Sequence, residues 1–487
     1  MNLADLMTTA ASRHGDRTAV RQEGLSLSYT ALERATALVA GLLRERGVQP
    51  GDRVGVMLPN VVYFPICYYG ALRAGAAIVP MNMLLKEREV AYYMADSGAR
   101  VLFAWHAFAE EAKAGAHDTE VVVVEPGSFE ALLAGREPAG TTERKADDTA
   151  VILYTSGTTG RPKGAELTHG NLSDNVAVSL ELFELGPDAV MLGALPLFHA
   201  FGQTCALNAT MAVGGSLSLL PRFDAGTALE IIERDRATVF EGVPTMYSAM
   251  LHHPGPADTS SLRLCVSGGA AMPVEVLRAF EEKFDCTVLE GYGLSETSPV
   301  AAFSRRDRER KPGSIGLPVK GVEMRLADVH DGVGEITIRG HNVMKGYWNN
   351  PSATADAIDS EGWFRTGDLA RIDDDGYFFI VDRKKEMIIR GGFNIYPREI
   401  EEVLHEHPDV MEAAVVGLPH DELGEDVGAA VVLKPGHHAD PEEIKAFVKA
   451  RVAAYKYPRL VWFEESLPKG PTGKILRREI KPPSRVA

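Results

Sequence analysis

Cysteine is scarce in this chain: four occur in 487 residues (Cys67, Cys205, Cys265 and Cys286), and no two form a CxxC pair. That scarcity argues against a disulfide scaffold or a zinc framework, and buried free thiols in a reducing compartment are expected instead. Long apolar runs are missing too. No stretch approaches the roughly 20 residues of a membrane span, so no transmembrane segment is expected. The opening MNLADLMTTAASRHGDR has no basic segment followed by an apolar run and does not read as a secretory signal. A cytoplasmic location is the expectation. Positive charge is short as well: the formal net charge is −16, which argues against a nucleic-acid partner. The same balance opposes polyanionic small molecules, so any nucleotide site must be locally basic.

What the chain has is ordinary globular composition, at a length that exceeds what one core usually organises. The N-terminal region alternates helix and strand signals. Thr30 with Glu33 reads as a capping box for an apolar-periodic helix ending near Gly47. The strand Arg53 to Leu58 follows, then a helix through Ala71 to Ala74, then apolar Ala76 to Val79. The pattern recurs at Ala189 to Leu195, Ser216 to Leu220 and Leu262 to Ser267, and such succession implies parallel sheets covered by helices. Beyond Asp382 the pattern changes. A helix over Pro397 to His407, strands at Ala413 to Gly417 and Gly428 to Leu433, a helix over Pro441 to Val452 and a strand Arg459 to Phe463 form a small α+β unit. The expected fold class is α/β: a large N-terminal multi-subdomain α/β domain, residues 1–382, plus a small mobile C-terminal α+β domain, residues 383–487. Repeats and low-complexity tracts are absent.

The most informative run is YTSGTTGRPKG, residues 154–164. The apolar, β-favouring Thr149 to Tyr154 reads as a buried strand leading into it. Gly157, Gly160 and Gly164 permit left-handed backbone, and consecutive N–H groups there can form a nest for phosphate. Thr155, Ser156, Thr158 and Thr159 add hydroxyls; Arg161 and Lys163 add charge. The order is not that of a Walker loop, because Lys163 precedes its glycine and no helix follows at once. Gly/Ser/Thr clusters are more often plain surface turns. The length and order of this run reverse that preference, since it closely resembles the phosphate loop of the adenylate-forming superfamily of acyl-CoA synthetases, luciferases and nonribosomal adenylation domains.

Further motifs carry the resemblance along nearly the whole chain, in order: EGYGLSET (Glu290 to Thr297), WFRTGD (Trp363 to Asp368), DRKK (Asp382 to Lys385) and PTGK (Pro471 to Lys474). In isolation Glu296 would be a solvated turn carboxylate, DRKK a solvated charge run and Lys474 a solvent-facing lysine. The resemblance implies more. Tyr292, beside Gly291, stacks on adenine; Ser295, where the family more often has threonine, meets the α-phosphate. Glu296 holds Mg²⁺, a hard cation that keeps water and phosphate ligands. Asp368 and Arg383 contact the ribose, Lys385 falls at the hinge, and Lys474 bridges the acid's carboxylate to the α-phosphate. Lys469 lacks the Thr-Gly context and is not chosen.

The acyl side is less specific. LPLFHAFG places His199 and Phe201 after a strand, and VSGGAA supplies Gly268, Gly269 and Ala270. By resemblance these line the acyl pocket, with His199 near its entrance as a further catalytic candidate, while Gly269 and Ala270 also face adenine. Plain core packing explains Phe201 and the glycines equally well. Neither run contains Arg or Lys to pair with a second carboxylate, and an unpaired buried charge is costly, so a dicarboxylic acid is disfavoured. The amino-acid-recognising aspartate of peptide synthetases has no obvious counterpart; Glu241 in FEGVP stands in a different context. An apolar carboxylic acid remains, with ATP, Mg²⁺ and CoA as implied cofactor and co-substrates. The wording DRKKEMIIRGGFNIYPREIEEVL is nearest to fatty acyl-CoA ligases and their aryl relatives. The rivals are a ligase that loads an acyl carrier protein and a nucleotide-binding module that has lost its chemistry. Every predicted catalytic position holds a competent residue, which weighs against the second.

Overall fold

A computed structural model describes residues 1–155 and 161–483. Two large sheets organise the N-terminal part. The first has the parallel strands Arg53–Met57, Ala77–Pro80, Val101–Trp105 and Glu120–Val124, extended by Thr149–Thr155 and then by antiparallel Lys163–Thr168 and Gly346–Tyr347. The second has a parallel centre of Val190–Gly193, Ser216–Leu219, Val239–Gly242, Leu264–Ser267 and Thr287–Gly293, flanked by antiparallel edge strands. These central strands read as short continuous apolar runs because helices cover both faces. Between the sheets, every residue of the helix Tyr63–Arg73 is buried, in one core with strands of both. The one charge on that helix is answered: Arg73 donates to the Glu33 carboxylate at 2.7 Å and to Thr36 at 3.0 Å.

The strand and helix expectations match these elements to within a few residues at most ends. The strand expected at Ala413 to Gly417 is longer, Val410–His420, because it pairs along its length with Gly424–Leu433 in a hairpin. With Leu460–Phe463, Ile388–Arg390 and Phe393–Ile395 it forms a five-stranded sheet, covered by Pro397–His405 and Pro441–Lys449. This is the small C-terminal domain. A four-stranded antiparallel sheet that the sequence reading did not assign joins it to the large part: Val322–His330, Val333–Gly340, Phe364–Ile372 and Phe378–Arg383. Cys67, Cys205 and Cys265 are buried free thiols, as expected; Cys286 is half-buried, its sulfur 3.5 Å from that of Cys265.

Two local expectations change. The helix near residue 30 spans Tyr29–Glu45, and its N-cap is Ser28, whose hydroxyl accepts from the Ala31 N–H; Thr30 already lies inside the helix. The capping box Thr30–Glu33 is therefore not formed, and Glu33 is engaged by Arg73 instead. Gly164 sits in the strand Lys163–Thr168, not in a left-handed turn. A Cβ there would come within 2.7 Å of the Ile152 side chain, so close packing is its reason to be glycine.

Ser28→Ala should lower stability by about 0.5–2 kcal/mol, the usual cost of losing an N-cap oxygen. The exposed Thr30→Ala should be close to neutral. Denaturation midpoints of the two variants check this; equal losses would restore the capping box.

Candidate active site

A cleft of about 1580 Å³ opens between the second large sheet, the Thr149–Thr168 hairpin and the small domain. Its walls carry nine lysine and arginine side chains against four carboxylates, so a chain of net charge −16 has the locally basic site that polyanions need.

On the hairpin side, Thr155 ends one strand and Lys163 begins the next, paired in register. Of the residues between, Ser156, Gly157, Thr158, Thr159 and Gly160 lie outside the described residues, while Arg161 and Pro162 line the cleft. Opposite Thr155, the turn Ser295–Thr297 follows the strand Thr287–Gly293 and presents Glu296. The Glu296 Oε1 accepts from the Thr155 hydroxyl at 3.1 Å and from the Tyr347 phenol at 3.0 Å. The Lys163 ammonium lies 5.1 Å over the Tyr347 ring, within cation–π range. Tyr347 carries no motif of its own; its antiparallel pairing to Ala165 brings it here.

A second cluster forms where the four-stranded sheet meets the cleft. Asp368 and Arg383 are cross-strand partners, and the Arg383 Nε lies 3.0 Å from the Asp368 Oδ1. The Tyr292 phenol donates to the other oxygen at 2.7 Å. Gly291, Ser295 and Gly269 line the same cleft, Gly269 with φ 76°; Ala270, next along, does not line it.

The third group comes from the small domain. Gly473, at φ 81°, lays its backbone against Val243 and Thr245, and the Thr245 hydroxyl donates to the Gly473 carbonyl at 2.9 Å. A Cβ on Gly473 would sit 3.0 Å from Val243, so both the backbone angle and the approach call for glycine. This contact delivers Lys474 into the cleft. Burial brings its ammonium down to about 8, with Arg383 a further cause. Elsewhere on the cleft wall, burial and then Lys474 hold the His199 imidazole down to about 4. The His199 Nδ1 accepts the Phe201 N–H at 3.4 Å, which leaves the ring proton on Nε2. A Cβ on Gly268 would meet the Phe201 ring at 2.9 Å, so the ring packs directly on this glycine. Lys385, in the exposed turn after Arg383, borders the cleft. The cleft thus gathers the three groups of predicted residues, which come from opposite ends of the chain. Thr245 and Tyr347 join them unannounced, because both act through partners far away in sequence.

Among the described residues no cluster of three or more His, Cys, Asp and Glu could hold a metal by itself. Glu296 offers one carboxylate with hydroxyls on the same oxygen. That donor set suits a hard cation taking its other ligands from phosphate and water.

Residues 7–348 match the AMP-binding enzyme family, and residues 399–474 match the AMP-binding enzyme C-terminal domain. The chain belongs to this family, the adenylate-forming enzymes, and is an AMP-forming acid–thiol ligase. It is 38% identical to a long-chain-fatty-acid–CoA ligase of Bacillus subtilis (strain 168), covering 98% of this chain and 94% of that protein. It is 41% identical to a feruloyl-CoA synthase of Amycolatopsis sp, covering 95% of each. Among solved structures, ATP-bound MatB from Rhodopseudomonas palustris superposes with a TM-score of 0.90 at 35% identity over 98% of both chains. No helix of the described residues is long and apolar enough to cross a membrane.

A small amine-reactive reagent, read by mass spectrometry at Lys474 across pH, should give a reactivity midpoint near 8. An ordinary lysine titrates near 10.4. A midpoint there would mean that Lys474 is not held in the cleft.

Proposed function

We propose that this enzyme uses ATP to convert an apolar carboxylic acid, in the first place a medium- or long-chain fatty acid, to its acyl-adenylate and then passes the acyl group to CoA. The observation that carries the proposal is the delivery of Lys474 from the small domain into the cleft lined by Glu296, Tyr292 and Arg383, the last two joined by Asp368. A carboxylate is a poor acyl donor until one of its oxygens becomes a good leaving group. Attack of that oxygen on the α-phosphorus, with loss of pyrophosphate, achieves this.

The residues divide the work. Tyr292 offers its ring to adenine while its phenol is tied to Asp368; Gly269 and Gly291 shape that end, whereas Ala270, expected there from the sequence, does not line the cleft. An ionised carboxylate has about four lone-pair sites, so Asp368 can take ribose hydroxyls beside Tyr292 and Arg383. Ser295 meets the α-phosphate. Thr155, Lys163 and the residues 156–160 between them hold the β- and γ-phosphates, with Mg²⁺ on Glu296. When bound, Mg²⁺ supplies charge neutralisation on the leaving pyrophosphate. Lys474 brings the two anions together by compensating both the attacking carboxylate and the α-phosphate. His199, neutral above about pH 4, borders the acid without adding charge. Phe201 and Gly268 form the acyl wall.

The second step needs room for a thiol on the side that Lys474 fills. We place the domain boundary between residues 382 and 383 and the hinge at Lys385, so that rotation of the small domain withdraws Lys474 once the adenylate has formed. A hinge need only absorb a backbone rotation and can be many residue types. The likeness to a feruloyl-CoA synthase supports an aryl acid as the alternative substrate.

Lys474→Ala should slow pyrophosphate release by about 10²–10³-fold, the scale of one lost charge-stabilising donor, yet largely spare thioester formation from preformed acyl-adenylate. Equal loss in both half-reactions would refute the alternating role. AMP formation measured across straight-chain, branched and aromatic acids, with and without CoA, tests the reading itself. CoA-dependent turnover on an apolar acid supports it, whereas a single burst that CoA does not convert to turnover points to a carrier-protein acceptor.

A further inference from the structure

Glu241 lies in the strand Val239–Gly242 at the centre of the second sheet, fully buried. Neither of its carboxylate oxygens has a hydrogen-bond partner among the described residues. Buried carboxyl groups are almost always paired, so an orphan asks for a partner that the chain does not itself supply.

Its position says where that partner would come from. Glu241 is the register partner of Val266 on the neighbouring strand, and such partners share a face. Val266 lines the cleft, as does Val243, two residues beyond Glu241. Phe240 and Cys265, on the other face, belong to a separate apolar core. Near Glu241 lies Gly202–Asn208, a π-helical turn of the kind concentrated at functional sites. Its Cys205 lines the cleft, and the nearby Glu241 carboxyl adds to the burial that pushes this thiol up. On the same turn, Gln203 Oε1 and Thr204 Oγ1 also lack partners. Phe183, Phe201, Val300 and Phe303 also line the cleft. Glu241 does not itself line the cleft; it lies behind a largely apolar wall, beside Val266 and near Cys205.

We propose that Glu241 is a specificity-determining residue of the acyl pocket, selecting acids that carry a hydroxyl at the end remote from the reacting carboxylate. The proposal rests on the acid-activating reading above and names the substrate class within it. The apolar surroundings push the Glu241 carboxyl well above its ordinary range, which favours the neutral acid over the carboxylate. A neutral carboxyl both donates and accepts, and a hydroxyl does the same, so the two pair reciprocally without burying a charge. An ammonium would require the ionised form, which this burial opposes, and a second carboxylate finds no cation here. Sites built to hydrogen-bond a hydroxyl discriminate strongly against analogues that lack it.

The test compares kcat/KM for CoA-dependent AMP formation on two matched pairs: 3-(4-hydroxyphenyl)propanoate against 3-phenylpropanoate, and 16-hydroxyhexadecanoate against hexadecanoate. The wild-type enzyme should favour the hydroxylated member of one pair by about tenfold or more. Glu241→Leu should bring that ratio to one or below, mostly through KM and by improving the plain acid. Glu241→Gln, which still donates and accepts, should keep the preference. A wild-type ratio within about twofold for both pairs overturns the proposal, as does a preference that survives in Glu241→Leu. Should Glu241→Leu fail to fold, the wild-type ratios and Glu241→Gln still decide. Plain acids turned over with no hydroxyl preference sink this inference alone, whereas no AMP from any acid sinks the acid-activating reading beneath it.

Discussion

A single ammonium must be carried out of water on one domain and set down in a cleft built by another, and the arrangement around Lys474 follows from that requirement. Desolvating a lysine opposes its charge, and here the effect is visible in a titration brought down to about 8. The compensation is local. Asp368 and Glu386 act in its favour, while Arg383 and Arg477 act against it. The docking geometry is equally local: left-handed backbone at Gly473 lets the tip lie against Val243, and Thr245 takes up the one carbonyl that faces it. A bulkier residue at 473 would hold the ammonium away from the cleft, whatever the quality of the groups waiting there.

That placement has a counterpart behind the hinge. Asp382, buried at the end of the four-stranded sheet, accepts the Arg398 N–H at 3.0 Å and lies 3.2 Å from Arg477. Arg477 forks onto Glu401, at 2.5 Å on one side and 3.1 Å on the other, and reaches Glu386 at 2.6 Å. Arg398 donates in addition to the Ile380 carbonyl at 2.7 Å. One carboxylate thus ties two arginines of the small domain to the last strand before the proposed hinge. A rotation about Lys385 would separate Asp382 from both. Buried ion pairs are strongly destabilising when only one partner is removed, so the rotated arrangement must re-solvate or re-pair these charges. The network therefore favours the orientation in which Lys474 is in place, the one that the proposed adenylation step uses.

Much of this was legible in the sequence, for reasons that differ by element. The parallel strands were readable because burial on both faces leaves short apolar runs such as Val101–Trp105 and Leu264–Ser267. The small domain was readable because its amphipathic helices begin at Pro397 and Pro441, in the first turn where proline is tolerated. The four-stranded sheet was passed over although VEMRLADVH alternates at period 2 as an edge strand should. At residue 30 two hydroxyl residues competed for the cap, and the earlier one, Ser28, holds it because Arg73 takes Glu33 away. The polar clusters were foreshadowed only where ordered motifs resemble a known family: Glu296, Asp368, Arg383 and Lys474. Tyr347, Thr245 and Arg477 carry no local signal, since each is defined by a partner between 51 and 228 residues away or by several partners at once. Glu241 was visible as an acid in an apolar strand, but its lack of a partner is a property of the packed interior alone.

On the proposed reading the two halves of the cleft obey opposite electrostatic rules, and His199 stands at their border. The half assigned to the nucleotide gathers cations and hydroxyls; the half assigned to the acid is largely aromatic and aliphatic. An imidazole at the seam would ordinarily titrate near neutrality and could add a second positive charge beside Lys474. Burial and Lys474 itself prevent that by holding His199 neutral. In the proposed mechanism Lys474 would then bring the charge that the acid's carboxylate meets at this border, and withdrawing it would remove that charge in one movement. A thiol approaching afterwards would find a neutral imidazole and an apolar wall there, surroundings suited to a neutral thioester product and poorly suited to recapture of a carboxylate.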